Sequence, residues 1–496
     1  MKTNTENIGI MKYRLLNILG LIAILAMVTS CKKEFLDTPS PAPTYEINFS
    51  SAENAELAVV GCYDIMGWDG QHNTIPFFFG DIVGRDTWKG GDVGGDQDWM
   101  NNLINFTYTT DNYMLNTAYT DYFKGVGRAN STIENVDKMK PELISDALKA
   151  QYIAEAKFTR AYFYFELVKT FGSIPLIDHI LTPDEYQQPL ASENAIYDFI
   201  ESDLKAAAIA LPTKSAAGAD YVGRATKGMA QALLAKAYVY RKKWPEAKKI
   251  TDEIIASNEY ALLNNFADVF DMNNENNDEI IFSIQFMESA NGEYGNDNEG
   301  SMLEVYLTAR NAPFAGIGGW GFSCPTKDLY DEFEAGDKRR DLSIISDGDT
   351  LWKGTPDEQV FHLNFATNKD HFANRKYALP HSQQPSEMSD ASKNWIVIRY
   401  ADVLLWNAEA AFNAGGDWNT PLMQVRTRAG LGAPTLTGLD AIYHERRVEL
   451  ALEGQRFWDV VRQGRGDAVL GADGFIEGVH NHFPIPQAQL DLSDLW

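Results

Sequence analysis

The sequence predicts a mainly α protein, built as a tetratricopeptide-like helical-hairpin scaffold with a loop-rich, ligand-facing region that carries short strands. Three observations predict it. Long segments place apolar residues three and four apart, the spacing of one helix face. Leu234, Ala235, Tyr238 and Ala247 repeat the spacing of a tetratricopeptide hairpin, where a small residue on one helix meets a small residue on the next. Residues 258–395 lose that periodicity among Asn, Asp, Gly and Pro.

The chain has 496 residues, 45% hydrophobic and 23% charged, a globular composition. It has 43 Lys and Arg against 69 Asp and Glu, a formal net charge of −26. A surface that acidic repels phosphate backbones, so no nucleic acid partner is expected. Three cysteines cannot make a disulfide framework.

Residues 1–30 read as a signal peptide: Lys12 and Arg14 precede a continuous apolar run from Leu15 to Val28. The run ends in Val28-Thr29-Ser30-Cys31, which resembles a bacterial lipobox and marks Cys31 for lipidation. Residues 31–46 are the lipidated N-terminus and a Pro-rich tether. The N-terminal helical part, 47–257, follows. Ser51 opens a helix to about Met66, and Asp111 or Asn112 opens one to near Lys138. Ser145 to Phe171 is the longest, stopped by Gly172 with Pro175 beyond. Helices over 194–210 and a pair over 226–257 complete this part, with Pro245 starting the second of the pair. Within the loop-rich 258–395, EIIFSIQF (279–286) alternates like a strand. Helices return in the C-terminal part, 396–496, at 396–414, 418–430 and 438 to about 463. Cys62 sits in a helical apolar pattern and reads as a buried free thiol; a bridge to Cys324 has no support in the pattern.

Motifs that would signal catalysis fail on inspection. His444-Glu445 opens like a zinc-protease helix, but Val448 stands where the second His belongs. GIGGWG (316–321) fits a nucleotide loop by count only; without a leading strand and a following helix it is a turn presenting Trp320. The loops GGDVGGDQD (90–98) and NGEYGNDNEG (291–300) are acidic enough to be weighed for Ca²⁺, yet neither has EF-hand spacing, so no metal and no cofactor is expected. No nucleophile motif is present. Glu445, Glu449 and Glu453 stack at spacing four beside Arg446 and Arg456, and read as a salt-bridge network pinning helices, of the cheap exposed kind.

Several blocks share one resemblance. AEAKFTRAYFYFELVKTFGSIPLI (154–177), IRYADVLLWNAEAAFNAGG (398–416), VRTRAGL (425–431), HERRVELALEGQRFWDVVRQG (444–464) and FPIPQAQLDL (483–492) resemble, in that order, the signature segments of the SusD/RagB family. The resemblance implies a helical scaffold with an irregular glycan-facing region. It also implies a surface lipoprotein of the outer membrane, anchored in lipid through Cys31, and a SusC-like TonB-dependent transporter as partner. Its ligand would be an oligosaccharide or a peptide, the oligosaccharide being the expected one. The chain ends soon after the Pro-Ile-Pro-Gln block, where the family usually continues, so the last turn is expected to differ.

Aromatic residues in loops are the positive signal for function. A flat indole or phenol covers the C–H face of a sugar ring while nearby amides, carboxylates or guanidinium groups bond its hydroxyls. The family places its ligand where an early loop meets a middle loop. Arg85, Trp99, Asn101, Tyr294 and Trp320 are therefore the expected ligand-binding residues, with Trp68 and Trp88 next; Trp352 and Trp395 belong to the same set of loop aromatics. The expected function is non-catalytic glycan capture and delivery to the transporter. The alternatives are a lipid-anchored glycoside hydrolase, and a family member that binds peptide or serves as a protein scaffold.

Overall fold

The computed structural model describes residues 48–68, 75–93, 95–289, 299–310 and 312–494. The signal peptide, Cys31, the tether and Tyr294 lie outside them.

Helix starts follow the caps that the sequence offers. α1 (Ala52–Asp64) begins at Ser51, whose hydroxyl accepts from the backbone of Asn54 at 3.3 Å. α2 (Tyr113–Lys138) begins at Asn112, and α3 (Asp146–Phe171) at Ser145. α4 (Glu193–Ala210) is capped by Ser192, and α5 (Lys227–Tyr240) by Thr226. Each cap is worth about 1 kcal/mol. α6 (Trp244–Ser257) starts with Pro245 in its first turn, where the missing N–H costs nothing.

Neighbouring helices pack in sequence order, α2 on α3, α3 on α4, α4 on α5 and α5 on α6. α3 is apolar all round its middle: Tyr162, Phe163, Tyr164 and Phe165 are consecutive and all buried. α2 comes close enough because Gly125 faces the Phe163 ring, where an added Cβ would stand 2.4 Å away. Beneath the hairpins, β2 (Ile280–Ile284) pairs antiparallel with β4 (Trp395–Arg399), and Phe282 meets Phe158 and Tyr162 of α3 edge-on.

EIIFSIQF forms the expected strand, and all five residues of β2 are buried. Two helix expectations are corrected. Residues 396–399 are strand rather than helix, as three β-branched residues in a row favour, and α7 (Tyr400–Asn413) starts only at Tyr400. The helix expected over 438–463 is broken into α9 (Gly438–Glu449) and α10 (Arg456–Arg462), with α8 (Asn419–Ala429) before them. The break holds two left-handed residues, Leu452 (φ +66°) and Gly454 (φ +73°), and the Gly454 carbonyl approaches Gly80 so closely that a Cβ on Gly80 would sit 2.0 Å from it. Gly80 lies in a π-helical stretch, Pro76–Ile82, that the sequence pattern does not announce.

α7 packs on α6, α8 and α9, so the late helices fold back on the hairpins. Asn407 fixes one of these contacts, donating to Thr251 at 2.9 Å and to Asp252 at 2.8 Å.

The carboxylates of α9 do form a salt-bridge network, but not an exposed one. Arg399 lies 2.9 Å from Glu279 and from Glu453 and also pairs with Glu449, with all four side chains essentially sealed from solvent. Arg339 joins Asp337 (2.7 Å), Glu445 (2.6 Å) and Glu449 (2.8 Å); Arg426 joins Glu445 (2.8 Å); Lys376 joins Glu453 (2.7 Å). Burial pushes the Glu449 carboxyl up, but Arg428, Arg399 and Arg339 together hold it well below the usual range. Ion pairs this deep tie β2, β4, α8, α9 and the 334–376 loops into one body.

Candidate functional site

The early and middle segments meet at a short antiparallel ribbon. β1 (Thr87–Gly90) pairs with β3 (Phe322–Pro325), Gly90 opposite Phe322 and Trp88 opposite Cys324. Gly91 extends the ribbon, its N–H donating to the Gly321 carbonyl at 2.8 Å. Gly91 has φ +72°, and a Cβ on it would meet the Phe322 ring at 2.4 Å, so only glycine lets the two segments close.

On this ribbon stands a row of rings. Trp99 meets Phe78 edge-on at 5.6 Å, Phe78 meets Tyr306 at 5.6 Å, and Tyr306 meets Trp320 at 4.8 Å. Phe322 backs the middle, 6.1 Å from Phe78 and 5.7 Å from Tyr306. Phe78 and Phe322 are buried, while Trp99, Tyr306 and Trp320 are half-buried. Each step is comparable with the width of one pyranose ring. Edge-to-face contact fixes the rings without consuming both faces.

Trp99 and Trp320 are therefore brought together, from segments more than two hundred residues apart in the chain. Trp99 opens a short helix, Trp99–Ile104, rather than a loop, and its indole N–H donates to Gln97 at 2.5 Å. Asn101, two residues on, is exposed, its amide 3.3 Å from Asp98. Trp320 follows a small hairpin, Pro313–Phe314 with Ile317–Gly318, formed by the glycine-rich turn.

The other predicted residues stand apart from the row. Trp88 donates to Asp370 at 2.6 Å, and its ring centre lies 5.2 Å from the Arg85 guanidinium and 4.1 Å from the Lys369 ammonium. Arg85 itself is held by Asp473 at 3.0 Å. Trp68 does not project as expected: it is 8% exposed, and Lys124 and Arg128 cover its ring at 5.1 and 5.2 Å. Trp395 is likewise buried, against Phe77 and Tyr377, because it belongs to β4 and not to a loop. Sequence reasoning missed Phe78, Tyr306 and Phe322, which connect the two tryptophans. The Phe77-Phe78-Phe79 run gives the first away as an aromatic cluster, but nothing local in Met302–Leu307 singles out Tyr306.

The GGDVGGDQD loop spends its carboxylates on the protein. Asp92 holds Arg310 at 2.5 Å, and Asp96 accepts from the backbone of Asp92 at 2.8 Å. Among the described residues, no group of three or more His, Cys, Asp or Glu is placed to hold a metal ion. Cys62 and Cys324 are both free and buried; burial pushes the thiols up to about 11 and about 12, so neither is reactive. A cavity of about 770 Å³ between α2, the 175–188 segment and residues 489–493 lies elsewhere, and none of the predicted residues lines it. Among the described residues no helix is long and apolar enough to cross a membrane.

Comparison with known proteins agrees with this architecture. Residues 278–483 match the SusD family, and residues 86–239 match a family described as "Starch-binding associating with outer membrane". SusD-like protein P25 of Formosa agariphila is 29% identical, with 90% of each chain covered. A SusD-like protein of Bacteroides ovatus is 25% identical, over 89% of this chain and 81% of its own. Among solved structures, a laminarin binding SusD-like protein superposes with a TM-score of 0.80 at 28% identity, covering 90% of this chain and 99% of that one. Surface glycan-binding protein A of Bacteroides thetaiotaomicron gives 0.78 at 25%, covering 90% and 98%. The ordered signature blocks, the helical scaffold and these matches agree that the chain belongs to the SusD/RagB family.

Proposed function

We propose that the protein captures glycan at the cell surface and passes it to a SusC-like TonB-dependent transporter, with no chemistry of its own. The observation that carries the reading is the Trp99–Phe78–Tyr306–Trp320 row, three half-buried rings linked through buried Phe78 where an early and a middle segment meet. Sugar rings stack on the exposed faces, and Asn101 and its neighbours bond hydroxyls at the edge. The names of two related structures, a laminarin binding protein and a surface glycan-binding protein, support the same ligand class. The lipobox supports anchoring through Cys31, and the description of the family matched over 86–239 supports the outer membrane. Capture by stacking requires no cofactor.

The test is retention on polysaccharide gels. Trp99→Ala and Trp320→Ala should each weaken retention about tenfold, the loss of roughly 1–1.5 kcal/mol of stacking. Unchanged retention in both variants overturns the site. Reducing ends released by the wild-type protein, and abolished by one carboxylate substitution, would favour the hydrolase instead.

A further inference from the structure

We propose that the aromatic row selects an uncharged glycan and rejects sulfated or uronate-bearing ones. This rests on the glycan reading of the row and adds the charge class of its ligand.

Recognition of a sulfate or carboxylate needs a cation with donors to spare, usually a guanidinium presented as a fork. The basic groups at the row are each already engaged by the protein. The Arg310 guanidinium is paired with Asp92 at 2.5 Å. The Lys89 ammonium lies 5.9 Å over the Phe322 ring and donates to the Asp96 carbonyl. Arg85, and Lys369 from a later loop, lie over the Trp88 ring, and Arg85 is held by Asp473. An anionic sugar that recruits Arg310 must bind beside the Asp92 carboxylate that already holds it, which cancels part of the attraction.

Carboxylates, by contrast, rim the row. Asp92 and Asp98 are exposed and Asp96 is half-buried, all within seven residues of Trp99. They outnumber Lys89 and Arg310, and the whole chain adds a background of −26. An approaching polyanion meets repulsion at long range from the chain and at short range from the rim. The exposed Asp98 carboxylate and Asn101 amide are good partners for neutral hydroxyls. The ligand that fits is therefore a neutral polysaccharide with an apolar ring face and free hydroxyls.

The experiment compares matched pairs: laminarin, starch and a neutral xylan, each beside its sulfated derivative of the same chain length, against the detergent-solubilised full chain. The expected result is binding of at least one neutral member, with its sulfated derivative about tenfold or more weaker in 20 mM salt. That gap should narrow in about 500 mM salt, where screening shortens the range of the rim charges. The double variant Asp92→Asn/Asp98→Asn should raise the sulfated-to-neutral affinity ratio about threefold or more at low salt. Equal or tighter binding of the sulfated member at low salt overturns charge selection and leaves glycan capture standing. Binding of no member of any pair overturns glycan capture, and this inference with it.

Discussion

Replacing Arg399 with Met removes the cation at the centre of the buried network while keeping most of the side-chain volume. The guanidinium donates to Glu279 at 2.9 Å, to both oxygens of Glu453 at 2.9 Å, to the Glu449 carbonyl at 2.7 Å and to the Glu449 carboxylate. Taking one partner from a buried ion pair costs about 3–5 kcal/mol, because the stranded charge remains in a poor solvent. Here the lower end applies. Glu279 keeps Arg428, Glu449 keeps Arg339 and Arg428, and Glu453 keeps Lys376. A loss of about 3 kcal/mol in a body of this size lowers the melting temperature by about 3 °C. Near-UV circular dichroism during a thermal scan reads it, with Lys248→Met as the control. Lys248 pairs with Asp252 at 2.5 Å on the surface, and losing that pair should be unmeasurable. If Arg399→Met melts with the control, or above the wild type, the network is not holding the strands and late helices together.

Two further outcomes follow from local geometry. His444 donates to Glu332 at 2.8 Å; chiefly through that bond, and against burial, the Glu332 carboxyl is held down to about 2. Burial pushes His444 down, but Glu332 and its neighbours leave it above its ordinary value. A depressed carboxyl stabilises above its unfolded value of 4.5 and loses that contribution as pH falls toward 2; a raised imidazole stabilises below 6.5 and loses its share as pH rises through the folded value. His444→Gln should therefore flatten melting temperature against pH at both ends, and a profile parallel to wild type would reject the pair. Gly91→Ala forces a methyl to 2.4 Å from the Phe322 ring at φ +72°, so polysaccharide retention should fall at least as far as in Trp320→Ala, with about 1–2 kcal/mol of stability lost in urea unfolding. Wild-type retention in this variant would show that Phe322 does not support the row.

The helical scaffold was legible because its signals are local. Ser51, Asn112, Ser145 and Thr226 cap helices where their side chains reach the next turn, whatever the rest of the chain does. The strand at 395–399 and the interruption at Gly454 were not, because each depends on a distant partner: β2 for the first, Gly80 for the second. The site divides the same way. Trp99 and Trp320 could be named from glycine-rich surroundings, whereas Trp68 looked identical by that criterion and is covered by Lys124 and Arg128 from α2. Tyr306 carries no local mark at all; its role comes from standing between Phe78 and Trp320. The charged block at 444–464 showed its pairing but not its depth, since Glu445, Glu449 and Glu453 look alike in sequence whether sealed or wet.

Residues near 80–100 and near 306–322 touch only after the long intervening chain has found its place. Joining contacts so remote is slow, and such surfaces tend to assemble late. A chain with every hairpin formed but the ribbon still open would be compact, helical by spectroscopy and blind to sugar. Carbohydrate affinity is thus a stricter gauge of completed folding than helix content, and added ligand can reward only molecules that have already arrived.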